Sequence, residues 1–436
     1  MKRLIFVFML ASTVMLYAQE STSVEKVRKI TVDDAVILAA DNNISLKRKR
    51  ISLNTAERKN KTSWNGVSPS LSLSGGLSKP LDGIITDMKA QTEYSYQIGA
   101  SASLSLTPSL YTTIKDAKLK YENEKISYED AVRQIELSVR KLFYNLLYTQ
   151  ESMNLQRRNM ETARLRYENN RDRYNRGQLS ELDLLQSQYS YESQRPTLDS
   201  TEIAYQNNLA SFKQTLGIPL DEKIELSGSL ADAVPPESFS VSQTVDELPS
   251  IKKLQASIEQ QKNTLFGRRL SVYGPTISAS YSYGLSGNDK TKELKKHQEN
   301  HSISINVRIP LDGAIPWSSN AQSISDQKAL LADLELQLEN ERTAATLNLQ
   351  NSIKNIMQKQ NQMNMLNQNV EIAQKAYDMA LTAYNHGSKD LLTLQNASDS
   401  LLKARTDRES HLYNLICAVL DLENTLGLPF GTLGKE

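Results

Sequence analysis

The chain has 436 residues, 39% of them hydrophobic, and its 51 basic and 50 acidic side chains leave a net charge of +1. That balance excludes the polybasic face that nucleic acid or an anionic membrane surface would select. A single cysteine, Cys417, excludes an intramolecular disulfide framework and reads as a small packing residue in a late helix.

The first residues carry Lys2 and Arg3, then an apolar run from Leu4 to Leu16, ending in Leu16-Tyr17-Ala18. This is the pattern of a secretory signal peptide over residues 1–18, cleaved after Ala18. The run is shorter than the ~20 residues a membrane helix needs, and no cysteine follows it to carry a lipid anchor. No later segment reaches 18 consecutive apolar residues, so any membrane crossing must use strands.

The first structural unit spans residues 19–217. It opens with a helix over Val32–Trp64 and then changes period. Leu71, Leu73 and Leu77 alternate with serines and glycines, which predicts a strand over about 68–78, and Tyr94–Leu106 alternates throughout, predicting a second over 94–106. The Lys79–Glu93 loop makes the two a hairpin. From Thr112 to Tyr174 there is neither proline nor glycine, which predicts one helix on the order of 95 Å long. A turn at about 175–180 around Gly177 follows, then a returning helix over Leu182–Leu216 that Pro196 is placed to kink.

Residues 218–246, with Pro219, Pro235 and Pro236, read as a linker, and a second unit covers 247–430 before a short tail at 431–436. Its helix over Val245–Tyr273 precedes strands at about 275–286 and 301–310, in which Ile277, Ala279, Tyr281, Tyr283 and Leu285, then Ile303, Ile305, Val307 and Ile309, alternate with small polar residues. The Gly287–Asn300 loop joins them. A second unbroken helix runs from Asn320 to Tyr384, and Leu366, Val370, Ala373, Tyr377, Ala380 and Tyr384 step along it by four and three, the spacing of a coiled-coil seam. A turn at about 385–390 around Gly387 and a returning helix over Leu391–Leu426 complete the unit.

The two units are one segment written twice. Tyr174, Gly177, Leu182, Leu184, Thr215, Leu216, Gly217 and Pro219 recur 210 positions later as Tyr384, Gly387, Leu392, Leu394, Thr425, Leu426, Gly427 and Pro429. The positions before the turn correspond as well, Ala163, Tyr167, Asn170 and Tyr174 against Ala373, Tyr377, Ala380 and Tyr384. The fold class is therefore mainly α with membrane β, a duplicated helix, β-hairpin and helix-hairpin repeat. An ordinary sheet with one wet face would place Lys and Glu on that face; here it is nearly all serine and glycine. Strands of ~9–11 residues with such a face suit a barrel wall. Four strands cannot stay open in hydrocarbon, so closure must come from other copies of the chain, and a water-filled pore favours three or more.

Several segments carry a resemblance. Ile30-Thr-Val-Asp-Asp-Ala-Val-Ile-Leu-Ala-Ala-Asp-Asn-Asn43, the strand starts Pro69-Ser-Leu-Ser-Leu and Pro275-Thr-Ile-Ser-Ala, the strand exit Arg308-Ile-Pro-Leu-Asp-Gly313 and the turn Tyr174-Asn-Arg-Gly-Gln-Leu-Ser-Glu-Leu-Asp-Leu-Leu185 resemble, in order and spacing, the TolC-like outer-membrane efflux family. The resemblance implies a homotrimer whose twelve-stranded barrel in outer-membrane lipid continues as an α-helical coiled-coil tunnel in the periplasm. It implies a passive conduit for efflux or type I secretion, docked to a periplasmic adaptor and an inner-membrane pump, with no cofactor. It also implies a gate at the glycine turns, formed by Asp183 of the first repeat with Tyr384 and Lys389 of the second. Ser180 and Asp390 suit helix N-caps. Where some relatives carry two carboxylates in an acidic ring, this sequence has Thr393 and Asn396; Asp390 is the candidate for a substitute ring.

No phosphate loop, paired-cysteine metal spacing or catalytic constellation is legible, so enzyme activity is not expected. His297 and His301 are placed in the Gly287–Asn300 loop and at its edge, as surface residues. A periplasmic adaptor would share a helical hairpin but flank it with compact domains, and a surface adhesive protein would not need four membrane-type strands.

Overall fold

The computed structural model describes residues 28–78, 94–234, 245–289 and 298–433. The signal-peptide segment, the Lys79–Glu93 loop, Pro235, Pro236 and His297 lie outside the described residues. In chain order the elements are β1 (Arg28–Ile30), α1 (Val32–Asn42), α2 (Ile44–Lys61), β2 (Ser70–Ser78), β3 (Tyr94–Leu106), α3 (Ser109–Asn175), α4 (Glu181–Glu192), α5 (Arg195–Leu216), β4 (Ile224–Leu226), α6 (Pro249–Tyr273), β5 (Thr276–Asp289), β6 (Gln298–Arg308), α7 (Ser319–Asn385) and α8 (Leu391–Leu426).

The duplication is visible in the elements. Helices α3 and α7 are each 67 residues long and occupy positions 210 apart. Neither contains proline or glycine, so nothing interrupts the hydrogen-bond ladder over about 100 Å. Both stop the same way. Gly177 and Gly387 adopt the left-handed conformation, at φ 71° and 72°. The amides just beyond then fold back, Gln178 N–H to the Arg173 carbonyl at 2.9 Å and Ser388 N–H to the Ala383 carbonyl at 2.9 Å. Only glycine enters that conformation without a steric cost.

The returning helices differ. In the first repeat the chain breaks at Ser193–Gln194, dividing α4 from α5, with Pro196 in the first turn of α5. A proline is tolerated there because the first helical amides have no intrahelical acceptor. In the second repeat α8 runs unbroken for 36 residues.

The sheet order is β2-β3-β5-β6, antiparallel throughout. The central pairing, β3 with β5, joins the two repeats over the whole of β3. Strands β2 and β6 are edges within the protomer. Among the described residues no helix is long and apolar enough to cross a membrane.

Four sequence expectations need correction. The helix expected over Val32–Trp64 is two helices with Asn43 between them. The Asn43 side chain caps α2, accepting from Ser45 N–H at 2.9 Å and Leu46 N–H at 3.2 Å, and donates to the Thr215 carbonyl at 2.7 Å. The helix expected over Val245–Tyr273 likewise divides: Val245–Glu247 is a 3₁₀ turn, and Pro249 starts α6. The linker is not bare: β4 pairs in parallel with β1, and a 3₁₀ turn follows at Leu230–Ala233. Finally, β6 begins at Gln298 rather than at about 301, so residues 298–300 of the expected loop are strand, and His301, expected at the loop's edge, lies opposite Tyr283; main-chain pairing with β5 extends past the end of the apolar alternation.

The core sits midway along the long helices. Ile30, Ala35, Val139, Phe143, Leu146, Phe212, Leu216, Leu230 and Ile416 form one buried cluster from β1, α1, α3, α5 and α8. Leu248, Ile251, Ile356, Leu415, Leu422 and Leu426 form a second from α6, α7 and α8. Glu423, 1% exposed, accepts from the Gly431 and Leu433 amides at 2.9 Å each and ties the end of the chain to this level.

Replacing Asn43 with alanine removes two cap bonds and the bond to Thr215. We expect a loss of about 1–2 kcal/mol, read as a lower midpoint in thermal unfolding followed by far-ultraviolet circular dichroism. An unchanged midpoint would contradict a structural role for this cap.

Candidate functional site

The sheet has two chemically distinct faces because side chains alternate along each strand. On one face, Ser70, Ser103, Ser280 and Ser304 form a rung across all four strands, and Ser72, Ser101, Ser282 and Ser302 form the next. Their hydroxyls pair across the strands, Ser70 with Ser103, Ser72 with Ser101, Ser280 with Ser304 and Ser282 with Ser302, each at 2.7 Å. Rungs of Ser74, Gly99, Gly284 and Asn300, then Gly76, Gln97, Ser286 and Gln298, continue this surface. It carries no charge until Arg308, which lies at the helix-side end opposite Thr276. Such a surface is wettable, and its hydroxyls offer no ionic site.

The other face is apolar. Leu71, Ala102, Tyr281 and Ile303 make one rung, with Leu104, Ala279 and Ile305, then Leu106, Ile277 and Val307, beyond it. Leu71, Leu73, Ile303 and Ile305 are more than 70% exposed in the single protomer. From the Leu106 rung to the Leu73 rung, which pairs with Ala100, is six residues or about 20 Å along the strands. Aromatic residues bracket it. Trp64 and Trp317, both exposed, stand at the helix-side end, and Tyr283 packs on His301, whose Nδ1 is 3.1 Å from the Tyr281 hydroxyl, toward the other. Rings with one polar atom suit a membrane–water boundary.

At the far end of the long helices the packing changes character. Here the buried set on α3, α4 and α8 is small and partly polar: Ala163, Asn170, Ser187, Leu391, Leu394 and Ser398. Polar bonds cross between repeats, Ser398 Oγ to Asn159 Oδ1 at 3.0 Å and Tyr384 OH to Asn170 Oδ1 at 3.0 Å. Tyr167 stacks on Tyr191, with ring centroids 6.4 Å apart.

Gly177 and Gly387 form the two turns. Asp183 is half-buried in the first turn of α4, where its carboxylate accepts from Ser180 Oγ at 2.6 Å while its amide donates back to Ser180 at 3.1 Å. Tyr384 is half-buried and directed at Asn170. Lys389 is exposed, and among the described residues it shares no ion pair or hydrogen bond with Asp183. Asp390 caps α8, accepting from the Thr393 amide at 3.0 Å and from the Thr393 hydroxyl. The hydroxyl bond, then the amide bond, hold its carboxyl below the ordinary carboxylate range, so it stays ionised in mild acid. A single protomer thus joins Tyr384 to the first repeat, but through Asn170. The one trace of that residue in the sequence is that, of the four seam positions compared before the turns, 170 alone differs between repeats, being asparagine against Ala380.

An uncharged wettable face, an apolar face bracketed by aromatics and a pair of rods about 100 Å long are the wall of a membrane conduit. The sequence matches the outer membrane efflux protein family over residues 36–218 and 243–428. The chain belongs to that family. Comparison with the curated proteins finds no match. Among solved structures, the CmeC outer membrane channel of Campylobacter jejuni is similar, at 18% identity and a TM-score of 0.76, covering 91% of this chain and 85% of that one. VceC from Vibrio cholerae matches at 15% identity and a TM-score of 0.72, covering 92% and 96%. The open-state MtrE channel of Neisseria gonorrhoeae matches at 16% and 0.71, covering 91% and 89%.

This outer-membrane efflux protein is an outer-membrane channel component with its helical tunnel in the periplasm. The chemistry of the two faces suits a lumen lined by the serine rungs and lipid against the apolar face. The adaptor and adhesin readings of the sequence are not favoured.

Because the described serine rungs carry no charge, the barrel itself should discriminate weakly between ions. Ser282→Asp places a carboxylate in every copy of a lumenal rung. We expect it to shift the reversal potential in a salt gradient toward cation selectivity, whereas Leu71→Asp on the lipid face should instead impair membrane assembly. The opposite pattern would reverse the assignment of the faces.

Proposed function

We propose that three copies of this chain close their four-stranded sheets into one twelve-stranded barrel and their helices into one tunnel. Together they conduct substrate passively from a periplasmic adaptor and inner-membrane pump to the exterior. The single observation that carries this reading is the β2-β3-β5-β6 sheet, whose apolar face needs lipid and whose two edges need partners. Head-to-tail pairing of β6 on one copy with β2 on the next satisfies both edges by a closed rotation. Energy and substrate choice rest with the pump.

The periplasmic end is the gate in this reading. Below the mid-helix clusters, the seam between repeats depends on polar contacts rather than on a thick core. Single hydrogen bonds of this kind contribute about 0.5–1.5 kcal/mol each, weak enough for a docking partner to break. Within a protomer Asp183 is engaged with Ser180 while Lys389 is exposed. An Asp183–Lys389 contact would therefore form across the trimer or on rearrangement of the turn, and lysine gives it a single-point rather than a two-pronged pair. Tyr384 adds a link between repeats. Asp390, exposed and ionised, supplies one carboxylate per copy near the entrance.

Purified oligomer in a planar bilayer should show a small, stable conductance that rises in Asp183→Ala/Lys389→Ala. A pore unaffected by that pair would remove those two residues from the gate, and a folded oligomer with no pore would remove the conduit. Asp390→Asn keeps a good helix cap but loses the charge. It should reduce cation preference without changing helicity; unchanged selectivity would deny Asp390 the role of an entrance ring.

A further inference from the structure

The seam between the repeats contains one buried polar side chain that the gate residues above leave unexplained. Asn170 on α3 is 2% exposed. Its Oδ1 accepts from the Tyr384 hydroxyl on α7 at 3.0 Å, and its Nδ2 is buried without a partner. The bond joins residues 214 apart in sequence, one from each repeat, close above the two glycine turns. A buried amide with an unpaired donor is unfavourable for the closed packing. The same side chain therefore holds the seam through its oxygen and loosens it through its nitrogen.

The duplication shows that this link is not repeated around the tunnel. The 210-residue shift carries Tyr384 onto Tyr174 and Asn170 onto Ala380. Where the second repeat of one copy meets the first repeat of the next, the equivalent joint therefore brings Tyr174 to Ala380, whose methyl group can accept nothing. Tyr174 is 38% exposed in the single protomer, consistent with a phenol not yet packed against a neighbour. Joints around the trimer thus alternate between one with a phenol–amide bond and one without.

We propose that Asn170 is the positioning residue of the periplasmic gate, the acceptor through which Tyr384 latches the two repeats of each protomer, and that the joint between protomers lacks this latch. The proposal rests on the trimeric conduit described above. It places the more yielding seam at Tyr174 and Ala380, so that opening parts whole protomers before it parts the repeats within one.

The test is single-channel conductance of the full-length oligomer as wild type, Asn170→Ala, Tyr384→Phe, their double variant, Ala380→Asn and Asp183→Ala/Lys389→Ala, each checked for oligomer size and helicity. Asn170→Ala and Tyr384→Phe should each raise the open-to-closed ratio, by about two- to tenfold for one net hydrogen bond, and the double variant should exceed neither by the other's effect. Ala380→Asn, which offers Tyr174 the missing acceptor, should lower it. Should Asn170→Ala fail to assemble, Tyr384→Phe and Ala380→Asn carry the test, since both keep the Asn170 side chain in place. An unchanged ratio in Tyr384→Phe, or additive effects in the double variant, overturns the latch. If the Asp183/Lys389 pair alone opens the pore, the latch fails while the gate stands. If no variant of a folded oligomer conducts, the conduit fails and the latch with it.

Discussion

Two unpaired strand edges govern the rest of this molecule. Hydrocarbon cannot hydrogen-bond the free amides and carbonyls of β2 and β6, and each unsatisfied group there costs several kcal/mol. A four-stranded sheet with an apolar face is therefore unstable as a single copy in the membrane. Pairing with further copies converts that cost into oligomerisation, and the number of copies fixes how wide the lumen is. The helices follow, because β3 leads directly into α3 and β6 leads toward α7. Whatever symmetry closes the barrel is transmitted to the rods beneath it.

Along those rods the source of cohesion changes. At mid-length, where β1 pairs with β4 and α6 lies against α3 and α7, aromatic and branched side chains such as Phe143, Phe212 and Ile251 are fully enclosed. Burial of such residues contributes roughly 1.5–3 kcal/mol each. Toward the glycine turns the buried set thins to Leu391 and Leu394 with alanine, serine and asparagine, and more of the cohesion is directional. Apolar burial is concentrated at mid-length and thins toward the turns, with one continuous helix spanning both regimes.

Much of this was legible in the residues. Period-two alternation marked the strands, the absence of proline and glycine marked α3 and α7, and the recurring Gly177 and Gly387 marked the turns. What escaped had weak local signals. Strands β1 and β4 have three residues each, too few for alternation to register. The break at Asn43 comes from a capping side chain whose outer partner, Thr215, is far away in sequence. The first residues of β6, Gln298, Glu299 and Asn300, are all polar, so pairing extends where hydrophobicity gives no sign. The acceptor for Tyr384 depends on how two helices from different repeats are rotated against each other, which no single-helix pattern contains.

The equal lengths of α3 and α7 also restrict how this molecule can change size. Deleting one residue from either rod alone would turn everything beyond it by about 100° and draw it back by ~1.5 Å. The two turns would then stand at different heights with mismatched seams. Removing seven residues from both rods, with matching losses from the returning helices, shortens the tube by about 10 Å while keeping each seam residue opposite its neighbour. The depth the tunnel spans is therefore a discrete property, adjustable in paired steps of two helical turns, and a cell envelope of a different thickness selects a different whole number of them.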